Sequence, residues 1–495
     1  KELLAFALSS IVLSDKRSDI IESKVLKLLR KHNIPKKQIY IFVAPDEIET
    51  YSSKLPSYQI VEGENGIGKQ RQKISDYFEQ NHFIVSIDDD LCEIMDHSKP
   101  IINLDIFIKD SFHLLLDNQL TLAGVYPVNN EFFTKNTITT DLRFCIGQFK
   151  IFINKKQLEN RHYELLEDYE STLKHYCFSG GVLRFNYITL KANYNKGKGG
   201  LKEYRTLERK LDEVKRFVAE YPKYAKSKKD GLEIQLNKNP KRDIIQSLWI
   251  GDFLNELSEM SVMSWLHLDY CVELYIDTLN LPKYMNKYRK TGQLVFKSIK
   301  EIMPYDVGEE ILPYSDLFRY KLLHKYGGVW LDADMVLLKR LPKDDIIISS
   351  EHTMQSGSFK SHLTYIHNIG VLRFPKGDQL LENLIFKIEN TFKPAEFCDN
   401  MKVFRKMVKK NYYYFDMVSN PEMYCGCPWW NCKDMYYEDH YKIKYDVKNQ
   451  TNDEMLKNAC GIHMWNNITT NKHKIDFNKI HPNSLYAKLY NIIFN

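Results

Sequence analysis

The chain predicts an α/β fold class: two tandem Rossmann-like domains, each on a largely parallel sheet. Three observations carry this expectation. The 495 residues exceed what one hydrophobic core usually organises. Apolar strand-like runs alternate with helix-period segments through the first half, and the alternation restarts near residue 241. Two predicted strands end in aspartates, at Asp88–Asp90 and at Asp332–Asp334, and the carboxyl edge of such a sheet is where ligands bind.

Composition narrows the class. Hydrophobic residues are 43% and charged residues 27%, a globular balance rather than a disordered one. A net charge of +6 over this length, without a concentrated basic stripe, gives no expectation of a nucleic-acid partner. No apolar run is long enough for a transmembrane helix. The opening KELLAFALSSIVLS turns polar too soon for a signal peptide and reads as a core strand. A cytoplasmic chain is expected, trimmed or partial because it lacks an initial Met. Nine scattered cysteines suit a reducing compartment. Cys425, Cys427 and Cys432 lack the paired spacing of a zinc site and are expected as packed thiols. Nothing in the pattern sets an oligomeric state.

In order, residues 3–13 are an apolar strand. Ser18 to Lys31 is a helix with Ile21, Val25, Leu28 and Leu29 on one face. QIYIFVA (38–44) and SYQIVEG (57–63) follow as strands, Gln70 to Gln80 as a helix, and HFIVSIDDD (82–90) as a strand ending in acid. Gly63 to Lys69 matches the GxxxxGK spacing of a phosphate-binding loop between strand and helix. Gln70 stands where that loop needs Ser or Thr for Mg²⁺, so a nucleotide hydrolase or kinase is a rival with a missing ligand. Lys196-Gly-Lys198-Gly-Gly offers backbone amides and cations to a diphosphate, or is a plain basic loop. Residues 201–228 are an amphipathic helix with Leu207, Leu211, Val214 and Val218 inward, closing the first domain at 240.

GKQRQKISDYF, FIVSIDDDL, HYELLEDYESTLKHYCFSGG and YNKGKGGL together resemble a GT-A glycosyltransferase, most nearly the TET-associated glycosyltransferases. The resemblance implies that Arg71 contacts the nucleotide and that Asp88 and Asp90 are a DXD pair holding metal and pyrophosphate. It places Asp89 and Lys198 against the nucleotide-sugar. Glu167-Asp168 resembles the ED pair of inverting transferases, with Asp168 deprotonating the acceptor hydroxyl. The same acids, with Glu164 and Glu170, also suit an ordinary helix start.

The second domain, 241–495, opens on the strand DIIQSLWIGDF (243–253), followed by a helix and the strand YCVELYIDTL. Its centre is SDLFRYKLLHKYGGVWLDADMVLL (315–338). Ser315 is expected as an N-cap. Asp316 and Arg319 share a helix face, and Gly327-Gly328 ends the helix where positive φ is needed. Val329-Trp330-Leu331 is a buried strand. The strand period of two sends Asp332 and Asp334 to one side, where they can grip a hard cation such as Mn²⁺ or Mg²⁺.

This stretch resembles the DXD region of glycosyltransferase family 32. IIQSLWIGD resembles the opening strand of that family, IIHQIWIG, although Gln246 and Ser247 depart from it. CGIHMWNN (460–467) resembles its closing H-x-W motif. The resemblance implies that Asp316 and Arg319 contact the donor sugar, that Asp332 and Asp334 hold metal and diphosphate, that His463 approaches them, and that Trp249 lies near the nucleotide. It also implies retention of anomeric configuration. His463 beside Trp465 suits simple packing too. His367-Asn368-Ile-Gly370 resembles an acceptor-side loop, and Trp429-Trp430 suit either sugar stacking or the interior.

Together these features predict a bifunctional, metal-dependent glycosyltransferase with two GT-A-like nucleotide-sugar-binding domains. The expected donors are UDP- or GDP-sugars and the acceptor a glycan or glycoprotein. The alternatives are one active transferase beside a sugar-binding module, and the phosphate-loop hydrolase or kinase.

Overall fold

The computed structural model describes residues 4–9, 17–192, 206–240, 243–306, 308–354, 363–391, 399–442 and 449–495. The chain forms two compact units, Lys1–Lys241 and Arg242–Asn495.

The first unit is built on an eight-stranded sheet. Its parallel half runs Gln59–Glu62, Ile39–Val43, Leu4–Ser9, Phe83–Asp88. Phe149–Ile153 then joins antiparallel to Phe83–Asp88, and Leu122–Val125, Leu183–Phe185 and Ile138–Thr139 complete the order. The sheet is mixed but largely parallel: Leu122–Val125 and Leu183–Phe185 run with the first four strands, and only Phe149–Ile153 and Ile138–Thr139 run against them. Strand periodicity feeds two cores: Phe6, Ile41 and Val85 pack on one face, Ala5, Ala7, Phe42 and Ile84 on the other.

Several boundaries differ from the sequence pattern. The first strand is Leu4–Ser9. The helix expected over 18–31 breaks at Lys24 (φ −112°, ψ −89°) into Arg17–Ser23 and Val25–Lys31, and the second piece buries Leu26 as well as Val25, Leu28 and Leu29. A short helix, Ile48–Lys54, comes next, and the helix expected over 70–80 is Ile67–Tyr77, starting beyond Gly66 at φ +97°, so it takes in Gly68 and Lys69 of the glycine-rich stretch. The last long helix is Leu207–Glu220. It stops before Pro222, whose ring disfavours helical backbone at Tyr221, and Ala225–Ser227 instead pairs with Ile234–Leu236. The loop containing Lys198 lies outside the described residues.

The second unit repeats the plan in six strands: Leu294–Ser298, Cys271–Ile276, Ile244–Trp249, Gly328–Leu331, Leu363–Phe374, Ile347–Met354. Here too the first four strands in sequence lie third, second, first, fourth, all parallel, and an antiparallel strand follows.

The helix Ile311–Tyr326 leads into the fourth strand. It begins four residues before Ser315, with Glu310 as its N-cap, so Ser315 is no cap. Pro313 is tolerated in the first turn because the amides there have no intrahelical acceptor to lose. Gly327 and Gly328 follow at φ +71° and +98°. The two residues that depart from the family-like opening strand hold this corner. Gln246 Nε2 donates to Gly327 O at 2.7 Å, and Ser247 Oγ donates to Leu331 O at 2.6 Å.

Candidate functional site

In the second unit the Asp332 carboxylate is tied down by one oxygen. Its Oδ1 accepts from Arg319 at 2.8 Å and from Trp330 Nε1 at 2.9 Å, while Asp332 N–H donates to Gly370 O. Asp334 Oδ2 accepts from Asn466 N–H at 2.6 Å, and its Oδ1 lies 3.3 Å from His463 Nε2. Donor atoms of Asp332, Asp334 and His463 fall within 4.8 Å of one another. Two carboxylates and an imidazole form a donor set suited to a divalent ion. Gly370 keeps the space open: a Cβ there would sit 3.1 Å from Asp332 Oδ2 and 3.4 Å from His463 Cε1. The residues present thus fit a cation.

Arg319 is buried and its donors are spent inside the protein. Besides Asp332 it donates to Ile369 O at 2.9 Å and to Ser315 O and Oγ, and Asp316 lies 3.4 Å away. Burial, opposed by Arg319 and aided by Asp332, lifts the Asp316 carboxyl to about 6. Burial also pushes Asp334 up, but His463 and the Asn466 amide outweigh it and hold the carboxyl below its usual range. His463 is raised well above ordinary histidine because Asp334 overcomes its burial. The ring stacks on Trp465 at 4.0 Å, and Cys425 Sγ is 3.7 Å from its Nδ1. Trp249 ends the neighbouring strand, Nε1 donating to Phe253 O.

The segment His367–Gly370 is a bulge, not a loop. Ile348 pairs with Leu372 but Ser350 pairs with His367, so residues 368–371 stand against Ser349. Ser349 Oγ bridges it, donating to Asn368 O and accepting from Val371 N–H. The excess backbone carries Ile369 O to Arg319 and Gly370 O to Asp332. Asn368 is spent locally, on Gly370 N–H and Glu351.

The first unit has a related clasp. Arg71, on the helix before the fourth strand, meets Asp88 at its end at 2.5 Å, Gly147 O at 3.0 Å and Ser86 Oγ at 2.7 Å. Like Arg319, it joins a strand-end carboxylate to a backbone carbonyl, here just ahead of the neighbouring antiparallel strand and there in that strand's bulge. Burial, against Arg71 and with Asp90, lifts Asp88 to about 6. Asp90 accepts from Gln148 Nε2 at 2.9 Å, and Asp89 is buried. Among the described residues no third His, Cys, Asp or Glu joins Asp88 and Asp90 as a metal-ligating group.

Glu167 and Asp168 open the helix Glu167–Ser179 against the same place. A Cβ on Gly147 would meet Glu167 Oε1 at 2.8 Å and Asp168 Cβ at 3.4 Å. Arg161 and Arg71 flank Glu167 at 3.4 and 3.9 Å. Burial first, and then the Glu167 charge, raise Asp168 to about 7. The phosphate-loop rival finds no support in this geometry. Gln70 Oε1 accepts Glu64 N–H at 2.7 Å while its Nε2 donates to Phe42 O, so the side chain occupies the loop an anion would need.

Sequence reasoning missed Gly147, Trp330 Nε1 and Ser315 as site-forming groups, and it named Gly370 only as part of an acceptor-side loop. Gly147 acts by the space it leaves, whereas Trp330 and Ser315 act locally, on Asp332 two residues on and on Arg319 four residues on. The described cysteines are free thiols, and Cys425, Cys427 and Cys432 form no metal-ligating group among the described residues.

Residues 256–353 match the family model described as the glycosyltransferase sugar-binding region containing the DXD motif. No curated protein matches the chain. Among solved structures it is similar to the PaToxG glycosyltransferase at 13% identity, covering 44% of this chain and 82% of that one, with a TM-score of 0.24. It is also similar to the apo-form glycosyltransferase GlyE of Streptococcus pneumoniae TIGR4 at 11% identity, covering 60% and 80%, with a TM-score of 0.24. These scores are too low to bear on function. The matched region holds Asp316, Arg319, Asp332 and Asp334, and it makes the chain a glycosyltransferase-type enzyme.

Proposed function

We propose that the chain is a bifunctional glycosyltransferase in which each unit takes a nucleotide-sugar and the second requires Mn²⁺ or Mg²⁺. The observation that carries this reading is the Asp332–Asp334–His463 grouping at a strand end inside the DXD-type region. Those three residues would hold the cation, which offsets the charge of the departing nucleoside diphosphate. Arg319, saturated by protein acceptors, fixes Asp332 rather than gripping the sugar. Asp316 is left to accept from a sugar hydroxyl. Trp249 borders the nucleotide, and transfer here retains anomeric configuration.

In the first unit, Arg71 holds Asp88 as Arg319 holds Asp332, and the strand order is the same. This supports a second transferase site, with Asp88, Asp89 and Asp90 facing the donor. Asp168 takes the proton of the acceptor hydroxyl as that oxygen bonds to the anomeric carbon and the bond to diphosphate breaks, with inversion. A carboxyl held near neutrality suits a general base. The acceptor is a glycan or glycoprotein.

A panel of UDP-, GDP- and CMP-sugars with Mn²⁺ tests both halves in the full chain. Asp334→Asn should abolish one transfer, and Asp168→Asn another. If Asp334→Asn leaves all transfer intact, the assignment of the second unit is wrong. One observation favours a narrower reading, with the first unit as a sugar-binding module: the lack of a third metal-ligating residue beside Asp88 and Asp90 among the described residues. In that case Asp168→Asn changes no turnover.

A further inference from the structure

The helix Asp399–Lys409 in the second unit has two faces. Inward, Val403, Phe404 and Val408 are buried, and Arg405 donates to His367 O at 2.7 Å and to Glu351 at 2.8 Å. Outward, Lys402, Lys406 and Lys409 recur at helical spacing and are exposed, with exposed Lys410 extending the stripe. From 400 to 415 the chain carries five cationic residues and no acid, a local concentration that the overall charge conceals. The stripe runs into the short helix Tyr412–Phe415. There Tyr412 is 85% exposed and Tyr413 57%, with Phe415 and Met417 exposed beside them.

We infer that this face docks on an anionic lipid bilayer, with the lysines against headgroup phosphates and the tyrosine tip in the interface. Lysines along one helix flank supply attraction to an anionic surface, and tyrosine favours headgroup depth, where its ring is apolar and its hydroxyl wet. The tyrosines stand at the end of the stripe rather than between the lysines. That suits one edge dipping into an interface better than a groove tracking a nucleic-acid strand. No described helix is long and apolar enough to cross a membrane, so attachment of this kind is peripheral. The inference does not rest on the transferase reading.

The test is co-sedimentation of the full chain with phosphatidylcholine vesicles and with vesicles containing phosphatidylglycerol. Pelleting is expected with the anionic vesicles alone, and it should weaken as salt rises. Replacing Lys406, Lys409 and Lys410 by Gln should lower partitioning on the order of a hundredfold, from about fivefold per lysine. Tyr412→Ser with Tyr413→Ser should also weaken binding while leaving its salt dependence unchanged. Each variant is compared with its parent by circular dichroism melting, and either variant suffices if the other fails to fold. No pelleting at low salt overturns the inference. So does undiminished pelleting of both variants, or lysine-dependent binding of a short RNA without vesicle binding.

Discussion

Asp332 offers the cation cradle a single oxygen because Arg319 and Trp330 have taken the other. That division makes the site sensitive to single atoms. Asp334→Asn removes a charged donor and should cut sugar transfer by the second unit on the order of a hundredfold or more, read from Mn²⁺-dependent turnover. Gly370→Ala should disturb both the bulge and the cation, since its Cβ would lie 2.9 Å from Asn368 Oδ1 and 3.1 Å from Asp332 Oδ2. Weaker Mn²⁺ binding by calorimetry is the expected outcome, with a far-ultraviolet spectrum like that of the parent. Asp168 adds a pH signature. Burial and Glu167 raise it to about 7, and a base works only when deprotonated. Turnover by the first unit should therefore rise through about pH 7, and Asp168→Asn should flatten that limb.

At the scale of elements, the strand Ile244–Trp249 positions the site through Gln246 and Ser247. Ser247 Oγ reaches Leu331 O, the carbonyl just before Asp332. Ser247→Ala leaves that buried acceptor unmet and should cost about 1–3 kcal/mol, measured as a lower denaturant midpoint. The alternation of strands and helices, the glycine end of the Ile311–Tyr326 helix and the strand-end aspartates were legible in the sequence because each depends on neighbours within a few residues. Gln246 and Ser247 looked only like departures from a pattern, because their partners lie 81 and 84 residues away. The bulge at Asn368–Val371 was invisible for a similar reason. It is defined by Ser349 on another strand, so His367-Asn368-Ile-Gly370 read as a loop. Gln70 was noticed as a missing metal ligand, but its side chain proved to fill the loop itself.

At the scale of the whole molecule, both units place strands third, second, first, fourth and clamp the end of the fourth with an arginine. If both are transferases, Asp88→Asn and Asp334→Asn should remove different products from one reaction mixture, and the double variant both. The bilayer-facing helix adds a constraint on the acceptor. Arg405 ties it to the bulge through His367 O, so the site lies close behind the proposed membrane face.

Asp316 shows that this site works against the stability of its own fold. Its carboxyl is lifted from 3.8 to about 6, by burial first and by Asp332 after it. The unfolded chain releases that proton near 4, the folded chain near 6, so folding grows less favourable as the pH climbs through this window. Above pH 6, Asp316→Asn should therefore melt higher than the parent, and the gap should close as the pH falls toward 4. A variant sturdier than its parent yet poorer at transfer would mark Asp316 as a residue kept for its task at the expense of robustness.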